Sequence, residues 1–197
     1  MNKSIFSVIG VAAVMCVGYA FGQSPAVTTF TDSRDKKVYK KVKIDKQTWM
    51  AENLNYAAEG SKCYENNAGN CEKYGRLYDW NTAQKVCPAG WHLPSSAEWT
   101  TLKDNDGGLK TAGKILKSTA GWNENGNGTN EFGFSALPGG RGYGDEFDDV
   151  GRYGNWWSAS EQGSEIAWNW NIYYRADYMG KKLYSKSNWL SVRCVQD

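Results

Sequence analysis

The chain has 197 residues, of which 41% are hydrophobic and 14% aromatic, with a formal net charge of +2 at pH 7. Its 23 basic and 21 acidic side chains nearly cancel, and no basic stripe gathers them, which argues against nucleic acid and anionic membrane surfaces as partners, since both need clustered Lys and Arg. Ten Trp and twelve Tyr stand in for a modest aliphatic content, which predicts an aromatic core in one domain.

Residues 1–22 read as a secretory signal peptide. Lys3 is the charged start, Ile5 to Tyr19 is an apolar run too short to span a bilayer comfortably, and Ala20-Phe21-Gly22 is a small-x-small cleavage site. Its removal leaves no membrane span and an exported chain. Cys63, Cys71, Cys87 and Cys194 remain, and an even count in an exported chain argues for disulfides. Four cysteines allow three connectivities. The preferred one joins Cys63 to Cys71 around a Gly/Asn-rich loop and Cys87 to Cys194 across the middle and end of the chain. No C-x-x-C spacing points to a metal site instead.

Residues 23–36 are expected to form a flexible lead, and residues 37–197 the domain. Lys37 to Asp45 alternates as a strand, with Val38, Lys40, Val42 and Ile44 in register. Lys46-Gln47 turns the chain into a second strand, Thr48 to Asn53. Leu54 to Tyr74 reads as irregular surface. Leu77, Trp80, Ala83, Gln84 and Cys87 recur at helical spacing and predict a helix over 79–86, stopped by Pro88-Ala89-Gly90. Ser95 and Glu98 form a capping box that starts a second helix, with Trp99 and Leu102 facing inward. A third helix is expected over Leu109 to Lys117. Gly121 to Gly154 is rich in Gly, Asn and Asp, with Phe132, Phe134 and Ala136 alternating like a short strand. Gly139-Gly140-Arg141-Gly142 reads as a turn with positive φ rather than a phosphate loop, since no Lys-Ser/Thr follows. The end is β: Trp156 to Ser160, Ile166 to Tyr174, Lys181 to Ser185 and Trp189 to Val195.

The segments QTWMAENLNY (47–56), YGRLYDWNTAQKVCPAGWHLPSSAEW (74–99), ALPGGRG (136–142), WWSASE (156–161) and WLSVRCVQD (189–197) together resemble the Fibrobacter succinogenes major paralogous domain family. The resemblance implies an α+β, C-type-lectin-like fold. Two to three short helices would pack on small antiparallel sheets, with a long Gly/Asn-rich loop region and two disulfides. It also implies that Cys87, at the end of the first helix, bonds to Cys194 in the last strand. The pattern LP-x-x-x-EW followed by RC is shared with the formylglycine-generating, sulfatase-modifying group. The family implies exported bacterial proteins, secreted or in the cell envelope, with no established activity.

The binding candidates lie after Ser118. On a strand from Ile166, Trp168, Trp170 and Ile172 share one face while Asn169, Asn171 and Tyr173 share the other. Were the first face core, the second would offer amide and phenol groups to a hydroxyl-rich ligand. Trp122, Tyr143, Tyr153, Tyr174, Arg175 and Tyr178 could join from loops. The bland alternative is that these aromatics are core. Asp145, Glu146, Asp148 and Asp149 are the candidate Ca2+ ligands, although they match no EF-hand pattern and a solvated loop explains them as well. His92 has no sequence partner for catalysis. The expectation is therefore a non-enzymatic binding or adhesion module without a required cofactor, for a polysaccharide or a cell-surface protein. The alternatives are an enzyme like the formylglycine-generating oxidases and a purely structural envelope protein.

Overall fold

The structure, a computed structural model, describes residues 25–105 and 110–197. The signal segment 1–22 and Leu109, the expected start of the third helix, lie outside the described residues. Among the described residues the fold is α+β, with two sheets, four short helices and two disulfides. No helix among the described residues is long and apolar enough to cross a membrane.

The first sheet contains β1 (Val27–Thr31), β2 (Val38–Ile44), β3 (Gln47–Met50), β5 (Trp91–His92) and β12 (Val195–Gln196), in the order β1-β2-β3-β12-β5. The expected flexible lead is thus corrected: part of it is β1, antiparallel to β2. Its Val, Thr and Phe residues suit an extended ladder. The chain after β1 is also tied down, because Arg34 Nη2 meets the buried Asp32 carboxylate at 2.6 Å and Arg34 Nη1 donates to Val86 O at 2.9 Å. In β2, Val42 and Ile44 point inward as expected, but Val38 is exposed and Tyr39 is buried. Tyr39 belongs to a different core from Val42 and Ile44.

The second sheet contains β4 (Leu77–Tyr78), β6 (Gly139–Tyr143), β7 (Glu146–Val150), β8 (Tyr153–Glu161), β9 (Ile166–Tyr173), β10 (Met179–Ser185) and β11 (Asn188–Ser191). Its path is β10-β9-β8-β11-β6-β7, with β4 on β11. The expected strand 189–195 splits: β11 joins this sheet and β12 the first, so the segment between them links the two. The GGRG segment is a strand, β6, not a turn. Only Gly140 among its glycines has positive φ, +68°, and a Cβ there would lie 2.5 Å from Asp148 O. Phe134 and Ala136 are buried but form no strand, since only an isolated bridge joins Ala136 to Lys117.

The helices are α1 (Ala68–Tyr74), α2 (Trp80–Ala83), α3 (Ser96–Asn105) and α4 (Ala112–Leu116). α1 falls in the stretch expected to be irregular. Asn67 caps it, accepting from Gly69 N at 2.9 Å, and its Cys71 bonds to Cys63. α2 is one turn, shorter than expected, and Asp79 caps it by accepting from Thr82 N at 2.8 Å. At α3 the capping box forms: Ser95 N donates to Glu98 Oε2 at 2.8 Å, and Glu98 N donates to Ser95 Oγ at 3.2 Å.

Two cores result. Trp49, Trp99, Trp156 and Trp170 meet in one, with Trp49 and Trp99 centroids 4.6 Å apart. Tyr78, Trp80, Trp157, Leu190 and Cys194 meet in the other. Trp156 and Trp157 are neighbours on β8, so their side chains leave on opposite faces, one into each core. The Cys87–Cys194 bond ties the α2 end to the segment between β11 and β12. Fully buried Arg193 bridges the centre. It donates to Asn53 Oδ1 through Nε (3.2 Å) and Nη2 (3.0 Å), to Ser135 O at 3.1 Å, and to Phe134 O.

Candidate functional site

The strand register assembles the best-formed surface site. Antiparallel partners project to the same face of a sheet. Asn188 of β11 stands opposite Tyr143 of β6, and Tyr143 stands opposite Glu146 of β7. Two residues along, Arg141 stands opposite Asp148. One face of these three strands therefore gathers an amide, a phenol, a guanidinium and two carboxylates. They line a cavity of about 560 Å³ together with Phe147. Tyr143 is its outermost wall, 63% exposed. Phe147 also packs on Tyr64, with centroids 5.3 Å apart, which holds the hairpin to the body.

The ion pairs of the hairpin order its polar groups. Asp149 has φ +69°, and its carboxylate accepts from Arg141 Nε at 3.1 Å and lies 3.6 Å from Arg152 Nη1. Arg141 Nη2 reaches Asp148 Oδ2 at 3.5 Å, and the guanidinium lies 5.3 Å from the Tyr184 ring centroid. Partial burial works against the Arg141 charge, but Tyr184, Asp149 and Asp148 outweigh it and raise its pKa. Burial raises the pKa of Tyr184 in turn.

One further cleft adjoins this cavity, and a third adjoins the second. Tyr143 also borders a space of about 410 Å³ lined by Lys62, Asp145, Ser187 and Trp189. Lys62 Nζ donates to Gly144 O at 2.8 Å, meets Asp145 Oδ1 at 3.2 Å and sits 4.8 Å over the Trp189 ring. Ser187 and Trp189 border a third space of about 500 Å³, with Asp79, Asn81, Glu165 and Lys186 on its walls.

The expected ligand residues do not form one site. Tyr143 alone lines the cavity above. Trp122 is core: it is 4% exposed, and its indole N–H donates to Ser118 Oγ and Ala136 O, both at 3.1 Å. Asn169 and Asn171 are buried instead of facing solvent, because both faces of β9 meet a core: Trp170 and Ile172 join one and Ala167 the other. Asn169 Nδ2 donates to Asn155 Oδ1 at 3.2 Å, while Asn169 Oδ1 and Asn171 Nδ2 have no partner. Tyr153 and Tyr173 pack on each other at 4.5 Å, and Tyr173 packs on the buried Tyr174 at 4.6 Å. Arg175 lies over Tyr174 and is paired with Glu124. Tyr178 is exposed and apart from these contacts.

The expected Ca2+ ligands are also separated. Asp145 sits at the hairpin turn with Lys62, Glu146 and Asp148 share one face of β7, and Asp149 is turned toward two arginines. Among the described residues, no group of three or more His, Cys, Asp or Glu side chains converges on an ion position. His92 is a clamp: Nε2 lies 2.7 Å from Glu98 Oε1 and Nδ1 lies 2.7 Å from Asp197 Oδ1. Partial burial would lower its pKa, but the Asp197 and Glu98 hydrogen bonds prevail and raise it.

Sequence reasoning missed Arg141, Asn188, Trp189 and Lys62. Arg141 falls in an expected turn, Trp189 at the start of an expected strand, and Asn188 between the strands expected over Lys181 to Ser185 and Trp189 to Val195. The signal present was an isolated Asn-Trp pair next to the polar Ser185-Lys186-Ser187 turn.

Comparisons with curated proteins and with solved structures give no match. The Fibrobacter succinogenes major domain matches residues 42–196, from inside β2 to the end of β12, and so takes in the second sheet, the first sheet without β1 and the start of β2, and the residues that line the cavity of about 560 Å³. With more than half of its length matched, the chain belongs to the Fibrobacter succinogenes major domain family.

Proposed function

We propose that this is an exported, non-enzymatic module that binds polysaccharide at the bacterial cell surface or in the medium. The observation that carries the reading is the run of three adjoining clefts joined by Tyr143 and Trp189. Exposed or half-exposed rings pack against the C–H faces of sugars, and Asn, Arg and carboxylate groups exchange hydrogen bonds with hydroxyls. Adjoining clefts suit a chain of residues better than one small molecule. A C-type-lectin-like classification fits this arrangement of short helices on two sheets with a bond between Cys87 and Cys194, and it stands as part of the proposal.

The enzyme alternative, like the formylglycine-generating oxidases, would need a reactive thiol near a cleft. Cys63, Cys71, Cys87 and Cys194 are all engaged in disulfides, which favours the binding reading. The test is a glycan array together with pull-down on insoluble plant and bacterial polysaccharides. Binding by the native protein and a loss of at least about ten-fold in Trp189→Ala is expected, the usual scale for an interfacial aromatic. A blank across these glycans sinks the reading. A free thiol titrated in the folded protein without reductant would return the enzyme alternative.

A further inference from the structure

We infer that the cavity between the β6–β7 hairpin and β11 is a subsite for an uncharged sugar residue with adjacent hydroxyls, and that its carboxylates reject uronic acids. The inference rests on the polysaccharide reading above and adds the chemistry of the residue that is bound.

The first support is Asn188. It is 8% exposed and lines the cavity, and its amide is not among the sealed, unpartnered groups of the structure, so it opens to the cavity. An amide that an otherwise buried residue holds open to a cavity is fixed in place to meet a ligand there. An amide offers an acceptor and two donors side by side. That set matches a hydroxyl, which both gives and receives a hydrogen bond.

The second support is the company Asn188 keeps. Tyr143 stands beside it in register, its exposed ring free to cover a pyranose face. Across the floor, Arg141 is held by Asp149 through Nε and by Asp148 through Nη2, with Tyr184 as a third partner, fewer than the five donors of its fork. The guanidinium is therefore fixed in direction with donors to spare, beside the Asp148 acceptor. A donor and an acceptor fixed together on a rigid hairpin fit two neighbouring hydroxyls.

The third support is charge. Among the described residues Glu146 enters no ion pair, Asp148 and Asp149 share Arg141, and Asp149 also meets Arg152. Three carboxylates against two guanidinium groups leave the cavity rim one charge negative. A uronate would meet like charge without gaining a free cation, which is discrimination by repulsion.

The test compares binding of the purified protein to soluble neutral glycans (a β-glucan, a xylan and a galactomannan) with binding to polygalacturonate, by affinity electrophoresis and calorimetry at low and moderate salt. The expected result is retention on at least one neutral glycan and at least ten-fold weaker binding to polygalacturonate. Asn188→Ala and Tyr143→Ala should each weaken neutral-glycan binding about ten-fold, the scale of one well-placed polar or aromatic contact. Glu146→Gln should narrow the discrimination against polygalacturonate. Unfolding midpoints check that the variants are folded. Because Asn188 is buried, the isosteric Asn188→Asp is the second probe: it keeps an acceptor but removes the amide donors, so it too should weaken binding. Equal or tighter binding to polygalacturonate overturns the inference. So does unchanged neutral-glycan binding in folded Asn188 and Tyr143 variants when Trp189→Ala has lost it, and in that case the general polysaccharide reading survives. No binding to any glycan removes both.

Discussion

Arg193 offers the sharpest test of how this fold is held together. Its guanidinium is fully buried with no carboxylate bonded to it among the described residues, and its acceptors are Asn53 Oδ1 and the carbonyls of Phe134 and Ser135. Burial lowers its pKa to about 9, so it stays charged at neutral pH and folding bears the cost of that burial. The five-donor planar fork is what offsets the cost, because it reaches three acceptors in different directions at once. Arg193→Lys keeps the charge but loses the fork. An under-coordinated buried cation is expected to cost about 3–5 kcal/mol. Arg193→Met removes the charge as well, and then the loss is mainly the two carbonyls left without donors, about 1–3 kcal/mol each before the relieved burial cost is subtracted. Asn53 Oδ1 still accepts from Trp156 Nε1 at 2.9 Å in either variant. The order expected is therefore native, then Met, then Lys. For a chain of this length 1 kcal/mol moves the midpoint by about 2–4 °C. Urea unfolding and calorimetry near pH 7, with disulfides intact, measure both variants. The reasoning fails if Arg193→Lys stays within 1 kcal/mol of the native protein (about 2–4 °C), or proves more stable than Arg193→Met.

The remaining predictions concern other ties in the molecule. The Cys87–Cys194 bond spans 107 positions and Cys63–Cys71 only 8, so loop entropy expects losses of roughly 5 and roughly 2.5 kcal/mol when each pair is replaced by alanine. Equal midpoints for the two double variants would contradict that account. The His92 pKa is raised, so its clamp contributes fully below about pH 6.5 and fades as pH rises through the raised folded value. Burial opposes the Glu98 charge, but Ser95 and His92 lower its pKa overall, so its share is present above the ordinary carboxylate range and fades in acid. His92 is 42% exposed, so solvent screening limits each contact to about 0.2–1 kcal/mol. NMR titration should place His92 above its ordinary value, and His92→Gln should flatten the stability slope between pH 6 and 8 (about the range where histidine titrates). Gly140→Ala should destabilise the hairpin by roughly 1–3 kcal/mol, because positive φ and the 2.5 Å approach of Asp148 O both exclude a Cβ. Unchanged stability and glycan retention in that variant would show that the hairpin floor tolerates repacking.

How much of this was legible in the sequence depends on whether the signal was local. The α3 capping box was readable because Ser95 and Glu98 lie three positions apart and answer to each other. The β2–β3 hairpin was readable for the same reason, with alternating residues on either side of a tight turn. β1 was not, since a Thr-rich segment gives no core-facing alternation and becomes a strand only when the edge of β2 receives it. β9 misled more seriously. Its alternation was correctly assigned to two faces, but the inference that one face meets solvent assumed a sheet with one open side. Trp156 and Trp157 show why that assumption fails, since each enters a different core from the same strand.

The same distinction explains why the candidate site moved from Asn169 and Asn171 to Asn188. Both sets are asparagines on strands, and nothing in their immediate neighbours separates them. What separates them is what covers each strand's faces, since β9 and β11 both have strands on either side. β9 sends Trp170 and Ile172 into one core and Ala167 into the other, whereas the Asn188 end of β11 meets the β6–β7 hairpin beside the cavity. An amide on the first is sealed in, and an amide on the second borders an open cavity. Strand order between residues far apart in sequence follows from which apolar faces must be covered, and the paired tryptophans of β8 demand cover on both sides. The core thus dictates that polar groups near β8 and β9 are buried, and that ligand chemistry is left to the hairpin at the edge, where side chains such as Arg141, Tyr143 and Glu146 can project without opening either core.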